Sequence, residues 1–212
     1  MSLPDARAAA IVFEPQRLRI ARQLRKMSRV ELARKVDVSA AAVGQWEAGE
    51  VRPKPHTLQT VADALSFPVA YFGTSGRTTA PVDTQYGFFR SLVKSKQIDR
   101  DAAMAGAGLL AQLVEVIERH ASLPAFEIPM LPVALDAADK EIDAIAWRVR
   151  KIWDLDAEPI ADMVRQLEKH GTVLSRLEMA DDVDAFTWPC PARPIVILGT
   201  DREDIEDRKS VV

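Results

Sequence analysis

Ser39, Ala40, Ala41, Gly44 and Gln45 fall within seven residues, and at helical spacing they share one outward face. A glutamine on such a face donates and accepts at once, which matches the edge of an adenine. The alanines offer methyl contact to thymine and close approach of backbone. Ser39 can cap its helix and hold a phosphate. Cations flank this stretch: Arg17 and Arg29 before it, Arg52 and Lys54 after it. Arg29, with Ser28 beside it, can reach a phosphate or a guanine edge. Phosphate contacts fix register, whereas base contacts carry sequence information. The chemistry on offer is therefore noncovalent recognition of a polyanion with readable edges, with Gln45 as its main reader.

The elements that must position these residues are legible. Ser28 with Glu31 three residues later is a capping box and begins a helix. Leu32, Ala33 and Val36 share its inner face, and Ser39 caps the next helix after a turn too short for anything but a steep crossing. That second helix closes at Gly49, a natural left-handed cap, with Val43 and Trp46 pointing inward. Pro15 suits a first helical position and opens a preceding helix with Leu18, Ile20, Ala21, Leu24 and Met27 inside. Its other face carries Arg17, Arg19, Arg22, Arg25 and Lys26. Residues 51–55 form a proline-braced loop. Thr57 is expected to cap a fourth helix built on Leu58, Val61, Ala62 and Leu65, and Ser66 with Pro68 to open a short fifth ending near Phe72.

The segment "RLRIARQLRKMSRVELARKVDVSAAAVGQWEAGEVRPKPHTLQTVADAL" resembles the N-terminal domain of XRE-type helix-turn-helix regulators, the family of the lambdoid phage repressors. Its markers are the "ELA" of the second helix, the "VS" turn, the "WEAG" close and the proline loop. The resemblance implies a five-helix, lambda-repressor-like domain whose third helix enters the major groove, with Arg52 and Lys54 meeting the DNA backbone. It also brings the start of the first helix nearest the duplex, which favours Arg17 over Arg19 and Arg22. The sequence departs from the family at Arg29, where glutamine is common, and at Ala40 and Ala41, where polar residues are common.

Composition sets limits. The 212 residues are 48% hydrophobic, enough for two cores. No run of 18 apolar residues and no basic-then-apolar N-terminus occurs, so neither a membrane span nor a secretory signal is expected. The single cysteine, Cys190, fits a reducing cytoplasm. Residues 1–80 hold 12 Lys/Arg against 7 Asp/Glu, net +5, while residues 81–212 hold 16 against 24, net −8. Only the first part is made for phosphate. No nucleotide-binding glycine loop, metal site or nucleophile constellation is evident. No catalysis, cofactor or small-molecule substrate is therefore expected.

The expected organisation is mainly α. An arm spans 1–14, the helix-turn-helix domain 15–73, a Gly/Ser/Thr/Pro linker 74–84, an α+β domain 85–200 and a frayed tail 201–212. The α+β domain should hold three main helices and a few short strands. Its first helix, from Asp99 or Asp101 to about His120, carries Met104, Leu109, Leu110, Leu113, Val114 and Ile117 on its apolar face. The second, capped by Asp136, turns Ile142, Ile145, Ala146, Val149, Ile152 and Trp153 inward, and the third begins at Pro159. Strands are expected near 86–93, 172–177, 185–188 and 195–198. No heptad seam is evident. A basic island of Arg90, Ser91, Lys94, Ser95, Lys96 and Arg100 interrupts the acidic half and is a second candidate DNA contact. If it reads DNA, one monomer can occupy an asymmetric site; otherwise a homodimer on a palindrome is expected.

The segments "FFRSL", "ERHASLPAFEIP", "IADMVRQLEKHGTVLSRLE", "DVDAFTWP" and "RPIVILGTD" resemble the part of ImmA/IrrE-type metallopeptidases that precedes the catalytic helix. In that family a His-Glu-x-x-His helix follows and holds zinc. His56, His120 and His170 are the only histidines and no two are four apart, so that site is not expected here. The combination is similar to immunity repressors of temperate actinobacterial phages, which implies a cytoplasmic repressor acting at operators on double-stranded DNA. The alternatives are a fragment of an XRE-linked metallopeptidase and an antitoxin-like autoregulator with a protein partner.

Overall fold

The computed structural model describes residues 3–73, 88–89, 96–127, 129, 131–134, 136–177, 185–188 and 193–200. The expected linker, 74–84, and tail, 201–212, lie outside them. Five helices and a 3₁₀ turn build the first unit: α1 (Leu3–Ile11), α2 (Pro15–Leu24), α3 (Arg29–Lys35), α4 (Ala40–Ala48), α5 (Pro55–Leu65) and the turn Val69–Gly73.

The expected arm over 1–14 is corrected, because α1 is a packed helix. Ala6, Ala9, Ala10 and Phe13 are buried, and alanine is both the best helix former and small enough for close approach. A Cβ on Gly73 would stand 2.5 Å from Ala9 Cα, so the glycine is what lets the 3₁₀ turn lie against α1. The Glu14 N–H then donates to the Phe72 carbonyl at 2.8 Å, joining the two ends of the unit. Leu18, Leu32, Val43, Leu58, Val61, Leu65, Val69 and Phe72 form a fully buried core. Each such side chain contributes about 1.5–3 kcal/mol.

Two details at the end of the unit differ from expectation. Pro55 rather than Thr57 begins α5, since proline's fixed φ is ready-made for a first helical position. Ser66 does not open a helix but closes α5 in the left-handed conformation (φ 55°).

The second part contains β1 (Phe88–Phe89), α6 (Gln97–Glu118), α7 (Asp139–Ile152), α8 (Met163–Lys169), β2 (Val173–Leu177), β3 (Ala185–Trp188) and β4 (Ile195–Gly199). The strands form one sheet in the order β1-β3-β4-β2. β3 runs antiparallel to both β1 and β4, and β2 runs parallel to β4, with Val173 opposite Ile195. The fold is mainly helical with an α+β second part. Among the described residues no helix is long and apolar enough to cross a membrane.

α6 is the pivot. Its small residues from Ala102 to Gly108 are all buried. Ala103, Met104, Ala107 and Ala111 pack on Phe186, Trp188, Ile195 and Ile197 of the sheet. A Cβ on Gly106 would meet Leu177 Cδ1 at 2.8 Å and Leu24 Cδ2 at 3.8 Å, so sheet and α2 approach α6 at the same point. Lys26 Nζ lies 3.2 Å from Asp99 Oδ1 across that contact. The expected apolar face is partly corrected: Met104 and Val114 are buried, but Leu113 and Ile117 are exposed. The alanine and glycine run takes the interior because two surfaces must come close to one helix.

α7 is the larger correction. It begins at Asp139 after Ala138, not at Asp136, and none of its residues is buried. Ile142 and Ile152 are 52% and 55% exposed, because no described element covers that face. Trp153, its C-cap residue, stacks at 4.4 Å on His170, and Arg150 donates to the carbonyls of Asp156 and Glu158. α8 starts at Met163, capped by Asp162 Oδ1 accepting from the Arg165 N–H at 2.9 Å, rather than at Pro159. Arg193 ties the end of α6 to this region by donating to Glu118 Oε1 (2.8 Å) and to the carbonyls of Pro124 (2.9 Å) and Gly171 (3.0 Å).

Candidate nucleic-acid interface

The helix-turn-helix pair forms as its caps dictate. Ser28 Oγ accepts from the Glu31 N–H at 3.1 Å while Glu31 Oε2 accepts from the Ser28 N–H at 2.7 Å. These bonds hold the Glu31 carboxyl below its ordinary value of 4.5: the backbone bond first, then the hydroxyl, with Arg34 and Lys35 adding. Ser39 Oγ accepts from the Ala42 N–H at 3.1 Å, and Gly49 ends α4 with φ 75°.

On α4, Ser39, Ala41 and Gln45 are exposed and Gly44 is half-buried with open space above its Cα. Ala40 is half-buried against the core, so of the two alanines Ala41 offers the freer methyl. Gln45 makes the most of this face, since its amide sets a donor beside an acceptor, whereas the Ser39 hydroxyl is engaged as the helix cap.

Behind the face lies an ion cluster that spacing alone did not single out. Arg22 grips Glu47 with two bonds, Nε to Oε1 at 2.5 Å and Nη2 to Oε2 at 3.0 Å, and donates from Nη1 to the Met27 carbonyl at 2.6 Å. Arg29 Nε reaches the same Glu47 Oε2 at 2.8 Å. The Glu47 side chain is 1% exposed and that of Arg29 49% exposed. Glu47 thus locks α4 to α2 and to the start of α3, and it holds Arg29 by Nε while that side chain stays half exposed. The available signal was position: Glu47 stands one turn after inward-facing Val43.

Arg17 is a correction. It is buried, with its guanidinium 4.8 Å from the centroid of the Tyr71 ring. Burial raises the Tyr71 hydroxyl above its ordinary value, and Arg17 partly offsets the rise. A side chain so placed props up the 3₁₀ turn rather than meeting phosphate. Of the three arginines weighed on α2, Arg19 is the exposed one. Arg52 is exposed and donates from Nη1 to the Ile11 carbonyl, which fixes the loop after α4 to the end of α1. Lys54 is exposed at the N-cap of α5.

In the second basic set, Arg90, Ser91, Lys94 and Ser95 lie outside the described residues. Lys96 is exposed at the N-cap of α6, and Arg100 Nη2 donates to Gln97 Oε1 at 2.7 Å on its first turn. The Lys26–Asp99 pair sets this turn beside the α2–α3 corner.

Comparison with curated proteins and with solved structures found no match. Among protein families, the model described as Helix-turn-helix matches residues 18–72, the segment from α2 through the 3₁₀ turn. Residues 18–72 are thus similar to a helix-turn-helix domain, and the match points to a DNA-binding transcriptional regulator.

Proposed function

We propose that this protein is a sequence-specific repressor of double-stranded DNA that performs no catalysis. α4 lies in a major groove, Gln45 and Ala41 contact base edges, and Ser39, Arg29, Arg52 and Lys54 hold phosphates on either side. Bound over a promoter, the domain excludes polymerase. The observation that carries the reading is the exposed Ser39–Ala41–Gln45 face on a helix capped at both ends and locked to its neighbours by buried Glu47. The resemblance to phage immunity repressors supports a role in holding a lysogenic state.

The Lys26–Asp99 contact supports a longer footprint, in which Lys96 and Arg100 meet phosphates next to those held at the start of α3.

The test is selection of bound duplexes from a random pool, followed by anisotropy titration at several salt concentrations. Gln45→Ala should relax preference at one base pair, by about 1–3 kcal/mol. Arg52→Ala with Lys54→Ala should weaken all sequences alike and flatten the salt slope by about two units. A doubly substituted Gln45→Ala, Arg52→Ala protein that binds the selected duplex as tightly and selectively as the parent defeats the reading. Lys96→Ala with Arg100→Ala should shorten the protected footprint on one side only.

A further inference from the structure

Ile11 ends α1 with a carbonyl that the neighbouring backbone cannot satisfy. The last carbonyls of a helix have no intrahelical partner. Pro15, four residues on, has no N–H to turn back to it, and the Glu14 N–H, three residues on, is given to the Phe72 carbonyl. The last turn of α1 also carries no basic residue to meet the partial negative charge of a helix end. Arg52 meets both needs from 41 residues away, by donating from Nη1 to the Ile11 carbonyl.

That bond joins a fixed element to a loop. α1 precedes the segment 18–72 that matches the helix-turn-helix model. It is anchored without Arg52, by Ala6, Ala9, Ala10 and Phe13 in the core and by the approach of Gly73 to Ala9. Arg52 stands exposed in the loop after α4. The corner between α1 and α2 meets the end of α4 as well, since a Cβ on Gly49 would stand 3.2 Å from Pro15 Cγ. A guanidinium has five N–H donors to share, and one already held by a fixed acceptor loses less freedom when it takes a second partner.

We propose that α1 is a positioning element for DNA binding: its C-terminal carbonyl pre-sets the Arg52 guanidinium for a phosphate beside the groove that α4 enters. The inference rests on the reading of Arg52 as a phosphate contact. It adds that a helix outside the matched segment sets the strength of that contact. Among the described residues Lys54, in the same loop, makes no side-chain bond to α1, so its own contact does not depend on that helix.

Anisotropy titration of the full chain on the selected duplex tests this as a cycle. Ala8→Pro breaks α1 from its exposed side, Ala8→Gly loosens it, and neither changes charge. Ala8→Pro should weaken binding about three- to tenfold and Ala8→Gly less. In an Arg52→Ala background Ala8→Pro should weaken binding no further, whereas in a Lys54→Ala background its full effect should remain. Ala8→Gly carries the same cycle should the proline unfold the domain. Without DNA, Arg52→Ala should lower the thermal midpoint by about 2–5 °C and Lys54→Ala should not. An Arg52→Ala protein of unchanged affinity removes the phosphate contact, and this inference with it. If Arg52→Ala weakens binding but Ala8→Pro leaves it unchanged, tightens it, or adds its loss in full to that of Arg52→Ala, the contact stands and the role of α1 is overturned.

Discussion

Glu47 shows how one side chain can serve both stability and recognition. Its carboxylate is almost wholly buried and takes three guanidinium bonds, two from Arg22 and one from Arg29. Removing it leaves Arg22 buried without its countercharge. Glu47→Ala should therefore cost about 3–5 kcal/mol in urea unfolding. Arg29 is half exposed, and Arg29→Ala should cost under about 1 kcal/mol in the same assay yet lower affinity for cognate duplex. Gly44 separates the two roles differently. A Cβ there meets nothing within 4 Å, so Gly44→Ala should raise stability by about 0.8–1 kcal/mol, the helix-propensity difference. If α4 enters the groove as proposed, the same methyl should crowd the duplex and weaken binding, giving a variant that is more stable and binds less tightly.

At the scale of elements, the start of α3 is held by a charge. Because Glu31 sits below its ordinary value in the folded protein, its contribution is present above pH 4.5 and is lost as pH falls through the lowered folded value. Denaturation at a series of pH values should show Glu31→Gln converging on the parent under acid, since the charge it removes is one that acid already neutralises. A difference that stays constant down to the lowest pH would mean that the capping box owes nothing to the carboxylate's charge. The neighbouring elements rest on close approach instead: Gly73 lets the 3₁₀ turn lie on α1, and Gly171, at φ 83° with the Ala125 carbonyl 2.3 Å from where a Cβ would stand, lets the chain turn into β2.

For the whole molecule, α6 matters most, because one run of small residues faces the sheet and α2 together. Gly106→Val places branched carbon where Leu177 and Leu24 converge and should destabilise by about 1–3 kcal/mol. We expect calorimetry to split into two transitions, the helix-turn-helix unit melting apart from the rest. A single transition merely shifted in temperature would show that the two parts are coupled elsewhere. The charge asymmetry belongs to this scale too. With net +5 in the first 80 residues and −8 beyond them, the acidic part should oppose indiscriminate attraction to DNA and leave the basic unit to set the approach.

The sequence by itself determined the helix-turn-helix unit, because its signals are local: Ser28 with Glu31, Ser39, Gly49 and Pro15 each act within one turn of their own helix, and the apolar stripe of α5 needs only its period. It also located β2, β3 and β4, whose apolar runs are short and bounded. Tertiary structure alone decided which side chains were spent inside. Arg17 and Arg22 read as outer-face cations, but one lies on Tyr71 and the other is bound to Glu47, partners that come from distant elements. It likewise decided that Ala102–Gly108 rather than Leu113 and Ile117 would fill the interior, and that the stripe of α7 would face outward. Periodicity shows that a helix has an apolar face, whereas only the arrangement of the other elements decides what, if anything, covers it.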